Sequence, residues 1–316
     1  MLKKGYLVIS ILVLILLFSA CGASTEVSAP EPSDTSSPTA ETPEPIKESL
    51  EITDFLGRKR VIDALPERIV SLSPSTTELL YELGVGDKLV GVTSFDDYPV
   101  DVIDLPKVGG FEGPNLEAIL EQEPDIVLAS SISGKEQMEA IEKLDITVLV
   151  LEARTIEQIY DAITLLSLIN EVEDTGQKLI ETMQDQMNTI YEKVKGKDAP
   201  NVFYLVDTDG NFTAGKGTFI DEMITLAGGN NVAGHTEGWV QYRMEELVEQ
   251  NPDIIITSPH SADVENLSSL AGYKETNAVK NGDIYVISDS NLISRASHRI
   301  VLGLEEIANM LHPEVF

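Results

Sequence analysis

From about residue 50 onward, short apolar runs alternate with segments whose apolar residues recur every three or four positions. Ile69-Val70-Ser71-Leu72, Ile126-Val127-Leu128-Ala129 and Val148-Leu149-Val150-Leu151 are too short for helices and carry no polar face, so they predict buried strands. The segments 76–83, 135–144 and 156–169 between or after them predict helices. The same grammar returns after residue 200. Val202-Phe203-Tyr204-Leu205, Ile254-Ile255-Ile256 and Ile284-Tyr285-Val286-Ile287 predict strands, with helices near 218–227, 244–250 and 296–311. Strands alternating with helices in this way predict an α/β fold with mainly parallel sheets.

Between the two halves, Ile180, Met183, Met187, Ile190 and Val194 lie three and four residues apart in the segment Asp174 to Asp198. One stripe at that spacing predicts a single long helix, unbroken by Gly or Pro between Gln177 and Val194. About 22 helical residues would reach about 33 Å, enough to cross one face of two lobes. The halves also resemble each other. The stretch from Leu116 to Leu128 parallels that from Met244 to Ile256: a short helix, then Pro-Asp, then a buried strand. Such a repeat fits either an ancient duplication or the same local topology used twice. The expected organisation is therefore a first lobe over 50–173, a bridging helix over 174–198 and a second lobe over 199–316. A cleft between the lobes is the natural place for a ligand.

The start of the chain follows different rules. Lys3 and Lys4 precede an apolar run, Tyr6 to Phe18, followed by Phe18-Ser19-Ala20-Cys21. Residues 1–20 read as a secretory signal, too short in the run for a membrane span. The small-small-Cys ending resembles the lipobox of bacterial lipoproteins, which implies that Cys21 is lipidated and becomes the mature N-terminus. Residues 21–49 are then a Ser/Thr/Pro/Glu tether with almost no large apolar residue, expected to stay flexible. Lipid anchor and tether together place the protein at the outer face of the cell membrane. The formal net charge of −31 repels nucleic-acid phosphates, so no nucleic-acid partner is expected.

Candidate chemistry is sparse. The single cysteine excludes intrachain disulfides and multi-cysteine metal sites. No Gly-x-Ser-x-Gly or Walker-type phosphate loop occurs, and His235, His260, His298 and His312 all fall in the second half. No enzyme activity, metal site or resident cofactor is expected. Aromatic residues are more informative, because they make up only 6% of the chain and several sit in polar, Gly-rich loops. These are Phe95 and Tyr98 in TSFDDYP, Phe111 in GGFEGPNLE, Phe212 in GNFTAGK, and Trp239 with Tyr242 in EGWVQYRME. Each is either a plug onto the core or a surface for something flat and apolar, and their spread over both halves favours a shared cleft.

The stretches PERIVSLSPSTTELLYELGVGDKLVGVTSFDDYP and LPKVGGFEGPNLEAILEQEPDIVLA resemble the first lobe of the periplasmic binding proteins that serve ABC importers of cobalamin, ferric siderophores and haem. NFTAGKGTFIDEMITLAGGNNVA, WVQYRMEELVEQNPDIIIT and SRASHRIVLGLEEIANML continue the resemblance, which covers roughly residues 50–316. It implies two Rossmann-like α/β lobes bridged by one long rigid helix, limited hinge motion, and delivery of ligand to a permease dimer with its ATPase. Within the family the chain is most similar to the cobalamin-binding branch, which maps Phe95, Tyr98, Phe111, Phe212 and Trp239 onto ligand contacts and Arg295 onto a polar residue near the ligand; Tyr242, from the same loop as Trp239, is a further candidate ligand-binding residue. Phe111 stands where a Trp is found in the best-known member of that branch, and His298 where the family usually has Pro. The resemblance also implies that Glu117 and Glu245, at equivalent positions of the repeat, dock the permease.

Cobalamin is bulky, partly apolar and without a large net negative charge, which suits aromatics with few cations. Ferric catecholates would call for converging cations, for which Lys216, Arg243 and Arg295 are the candidates. Haem would need an axial ligand and a cation, for which Tyr242, His235 or Tyr98 with Arg243 are available. Ferric siderophore or haem is the alternative ligand class; a lipid-anchored enzyme or an adhesion module is the alternative function.

Overall fold

Each strand of the two main sheets sends alternate side chains into apolar cores on opposite faces, which is why these strands carry no polar stripe. The computed structural model describes residues 49–259 and 264–316. The signal segment, Cys21, the tether up to residue 48 and His260 lie outside the described residues. The described part belongs to one compact unit, Lys47–Phe316.

The chain enters through an antiparallel hairpin, β1 (Leu50–Thr53) and β2 (Lys59–Ile62). The first lobe then follows as β3 (Ile69–Ser71), α1 (Pro74–Glu82), β4 (Leu89–Thr93), β5 (Lys107–Gly110), β6 (Gly113–Pro114), α2 (Leu116–Glu121), β7 (Ile126–Ala129), α3 (Lys135–Glu142) and β8 (Thr147–Val150). Its strands lie in the order β6-β5-β4-β3-β7-β8, parallel except for β6. Ile126 and Leu128 of β7 face one core, Val127 and Ala129 the other. The helix α4 (Ile156–Ile169) leads into α5 (Glu173–Val194), the predicted bridge, which buries Ile180, Met183, Met187, Ile190 and Val194.

The second lobe contains β9 (Asn201–Leu205), β10 (Phe212–Ala214), α6 (Phe219–Leu226), β11 (Asn230–Asn231), β12 (Trp239–Gln241), α7 (Met244–Gln250), β13 (Ile254–Thr257), α8 (Asn277–Asn281), β14 (Ile284–Val286), α9 (Asn291–Ser294) and α10 (Ile300–Leu311). β11-β9-β13-β14 form a parallel sheet, and β10 with β12 an antiparallel ribbon. The last predicted helix starts later than expected. Residues 296–299 are irregular because Ser297 and Arg299 turn toward a carboxylate on α1 instead of continuing the helix.

The repeat is real at the level of hydrogen bonds. Glu123 and Asn251, each just before its Pro-Asp, both adopt a left-handed backbone with φ 45°. Asp125 Oδ2 accepts from the Glu67 and Arg68 amides, and Asp253 Oδ2 accepts from the Asn201 amide, so each aspartate ties its strand to the adjacent one. α5 packs on both α4 and α10. A single apolar cluster runs from Ile69 and Leu128 through α5 to Ile256 and Leu304, so the lobes share a continuous core along the bridge.

Candidate functional site

The parallel strands of the first lobe all point their carboxyl ends the same way, and the loops leaving them form one wall of a cavity of about 950 Å³ between the lobes. Ligands of open α/β sheets bind at such strand ends. The wall carries hydroxyls from Ser73, Ser75, Thr93, Ser130 and Ser133, and apolar surface from Leu72, Phe95, Phe111, Ile132 and Leu151. The opposite wall is smaller: Phe219, Glu237, Trp239, Ser294, Arg295 and Ala296.

Local geometry explains how the aromatics are held. Phe111 sits in the turn between β5 and β6, where Gly110 pairs with Gly113 and Gly113 has φ +92°, a conformation that strains other residues. The turn pushes Phe111 out to 93% exposure, and Ile132, also on this wall, is 91% exposed. Phe95 is displayed by a turn in which the Thr93 amide and hydroxyl both donate to Asp96 Oδ2. Burial pushes the Asp96 carboxyl above the ordinary aspartate range, against the pull of those bonds. Trp239 follows Gly238, φ +69°, and lies in the β10–β12 ribbon opposite Ala214, with its ring edge-on to Tyr204 at 6.3 Å. Phe212 and Trp239 are thus ribbon residues, where the sequence suggested loops.

Of the expected ligand-binding residues, Phe95, Phe111, Trp239 and Arg295 line the cavity. Tyr242 is corrected. It is 3% exposed, packs 5.6 Å from the Phe203 ring inside the second lobe, and its hydroxyl donates to the Val232 carbonyl. Tyr98 and Phe212 are partly exposed but outside the cavity wall; the Tyr98 ring lies 4.1 Å beneath the Arg299 guanidinium. His235 and Arg243 also lie off the wall, both paired with Glu246. Lys216 is exposed and outside it as well.

Both arginines on the cavity wall are already paired with carboxylates. Arg154 reaches Glu152 at 3.1 Å. Burial raises the Glu152 pKa, but bonds from Ser131 and Arg154 outweigh it and hold the carboxyl below the ordinary glutamate range. Arg295 Nη1 contacts Glu78 Oε1 at 2.8 Å and Asp97 Oδ1 at 2.7 Å, while Nη2 donates to the Phe95 carbonyl at 2.9 Å. Among the described residues lining the cavity there is no His, Tyr, Met or Cys. No group of His, Cys, Asp and Glu suited to a metal occurs among the described residues either. The serines, Ile132, Glu152, Arg154, Glu237 and Phe219 were not singled out from sequence. The Ser/Thr positions just after predicted strands were the available signal.

Glu117 and Glu245 are both exposed, each in the first turn of its short helix, α2 and α7. Asn115 caps α2 by accepting from the Ala118 amide, while α7 follows Arg243 without a side-chain cap.

Comparison with known proteins agrees with this architecture. The sequence profile of the periplasmic binding protein family matches residues 69–290. An uncharacterized ABC transporter substrate-binding lipoprotein of Bacillus subtilis, YvrC, is 36% identical over 84% of this chain and 86% of its own length. A vitamin B12-binding protein of Salmonella choleraesuis is 30% identical over 77% of this chain and 90% of its own. The crystal structure of a possible iron-binding, periplasmic solute-binding protein of Staphylococcus epidermidis superposes with a TM-score of 0.72 at 29% identity, covering 79% of this chain and 100% of that one. With two α/β lobes, a bridging helix and a ligand-sized cleft, the chain belongs to the periplasmic binding protein family, as an ABC transporter substrate-binding protein.

Proposed function

We propose that this protein captures cobalamin or a related corrinoid in the inter-lobe cleft and hands it to an ABC permease dimer. The observation that carries the reading is the cleft's chemistry: aromatic and aliphatic surface, a row of hydroxyls, and arginines whose charge is matched by neighbouring carboxylates. An electroneutral, amphipathic macrocycle suits that lining. A tris-catecholate would meet no unpaired cation on the described wall, and haem would meet no His, Tyr, Met or Cys there. The B12-binding relative supports the same ligand class. Titrating the full chain in detergent with cyanocobalamin, by calorimetry and Trp239 emission, tests it. Saturable one-to-one binding with quenching is expected; neither heat nor quenching would move the ligand to a ferric siderophore or haem.

Delivery rests on Glu117 and Glu245, whose equivalent places in the repeat match the needs of a two-fold partner bearing cations. The double variant Glu117→Arg with Glu245→Arg should abolish uptake in cells and leave capture intact; loss of capture would overturn the docking role. Anchoring rests on Cys21, and the lipoprotein relative supports it. Among the described residues no helix is long and apolar enough to cross a membrane. Cys21→Ala should move the protein from the membrane fraction to the medium.

A further inference from the structure

Glu78 lies on α1 of the first lobe, yet its partners come from the second. Its side chain is fully buried. Oε1 accepts from Arg295 at 2.8 Å and Arg299 at 3.1 Å, and Oε2 accepts from the Ser297 hydroxyl at 2.5 Å. A carboxylate taken out of water must be paired, and two arginines with one hydroxyl meet that demand. The second lobe is shaped to deliver them: the irregular stretch 296–299 that delays α10 is the stretch that wraps Glu78. Only Arg295 of these groups faces the cavity, and its outer side is matched by Asp97.

From this arrangement we infer that Glu78, with Asp97, determines ligand specificity by neutralising Arg295 at the cavity wall, so that the cleft takes electroneutral chelates and disfavours polyanionic ones. The inference rests on the inter-lobe cleft being the ligand site proposed above. Glu78 is a positioning residue: it touches the arginine and not the ligand. Without the two acids, Arg295, whose side chain is only 11% exposed, would present an uncompensated guanidinium at the wall, and a partly buried charge attracts anions more strongly than one in bulk solvent.

The test uses the full chain in detergent, as wild type, Asp97→Asn and Glu78→Gln, titrated with cyanocobalamin and with a trianionic ferric tris-catecholate. Asp97 is half-exposed, so its variant keeps the fold and decides the matter if Glu78→Gln does not fold. The readout is the ratio of the two affinities, which a merely structural role would leave alone because both ligands would weaken together. Asp97→Asn is expected to shift the ratio about tenfold toward the trianion at low salt, and the shift should shrink near 1 M salt, where screening acts within about 3 Å. Glu78→Gln should shift it further the same way. An unchanged ratio, or equal loss of both ligands, overturns the inference. If the wild type ignores cyanocobalamin, the corrinoid reading falls alone. The tris-catecholate affinity of Asp97→Asn against wild type then decides: a gain sustains the inference and no gain overturns it.

Discussion

The two walls of the cleft are built by different means, although the lobes share a repeated αβ unit. The first wall comes straight from the carboxyl ends of a parallel sheet, with its hydroxyls, Phe95 and Phe111 on consecutive loops. Among the described residues, the second takes no lining residue from the strand ends of its own sheet. It is supplied by the β10–β12 ribbon with Trp239 and the preceding Glu237, by Phe219 at the start of α6, and by the stretch 294–296, which carries Arg295. A duplicated scaffold therefore keeps its symmetry where the outer helices α2 and α7 lie and gives it up where the ligand is read. Scaffold and site answer to different demands: the scaffold to packing, the site to the shape of one molecule.

The contact that joins the walls should show the largest effect. Glu78→Gln leaves Arg295 and Arg299 buried with a weaker partner, at a cost of about 3 kcal/mol. Thermal unfolding should show a drop of several degrees, and a variant as stable as wild type would mean that the lobes are held by the α5 core alone. Next comes Trp239→Ala, which removes the large aromatic of the ribbon wall. Central aromatic anchors are worth about 2 kcal/mol or more, so cyanocobalamin affinity should fall roughly 30-fold. Phe111→Ala tests the other wall. At 93% exposure the ring packs on nothing in the free protein, so the melting temperature should hold while affinity falls severalfold. Were Phe111→Ala to weaken binding more than Trp239→Ala, the strand-end wall would be the dominant reader and the contrast would reverse.

The scaffold was legible in the sequence and the second wall only in part. Strands buried on both faces, such as Ile126–Ala129 and Ile254–Thr257, announce themselves as unbroken apolar runs, and α5 as one stripe. The Pro-Asp repeat fixed equivalent strand pairings because each aspartate bonds to the neighbouring strand's amides, a purely local device. Tyr242 went astray because it lies three residues from Trp239, and no periodicity tells which aromatic of EGWVQYRME faces in. The ribbon decides it, pairing Trp239 with Ala214 and sending Tyr242 against Phe203. The pairing of Arg295 with Glu78 spans 217 residues, and only folding brings the two charges together.

The smallest effect concerns pH at the same seam. His298 is packed in the loop that wraps Glu78, with Glu82 at 3.4 Å. Burial pushes its pKa below the ordinary histidine value, Arg299 pushes the same way, and Glu82 and Glu78 pull against them. The folded state thus prefers neutral imidazole more than the unfolded chain does. Stability from this group is complete above the unfolded pKa of about 6.5 and is lost as pH falls from there toward the lower folded value. Asp96 works in the opposite sense, since its raised pKa relieves a buried charge on acidification. A modest fall in melting temperature from pH 7 toward pH 5 is expected in the wild type, and a flatter curve in His298→Gln. Identical slopes would acquit the seam and direct attention to carboxylates held below their ordinary range, such as Asp54, which is tied to Arg58 and to the Val150 amide, and Glu152 on the strand-end wall.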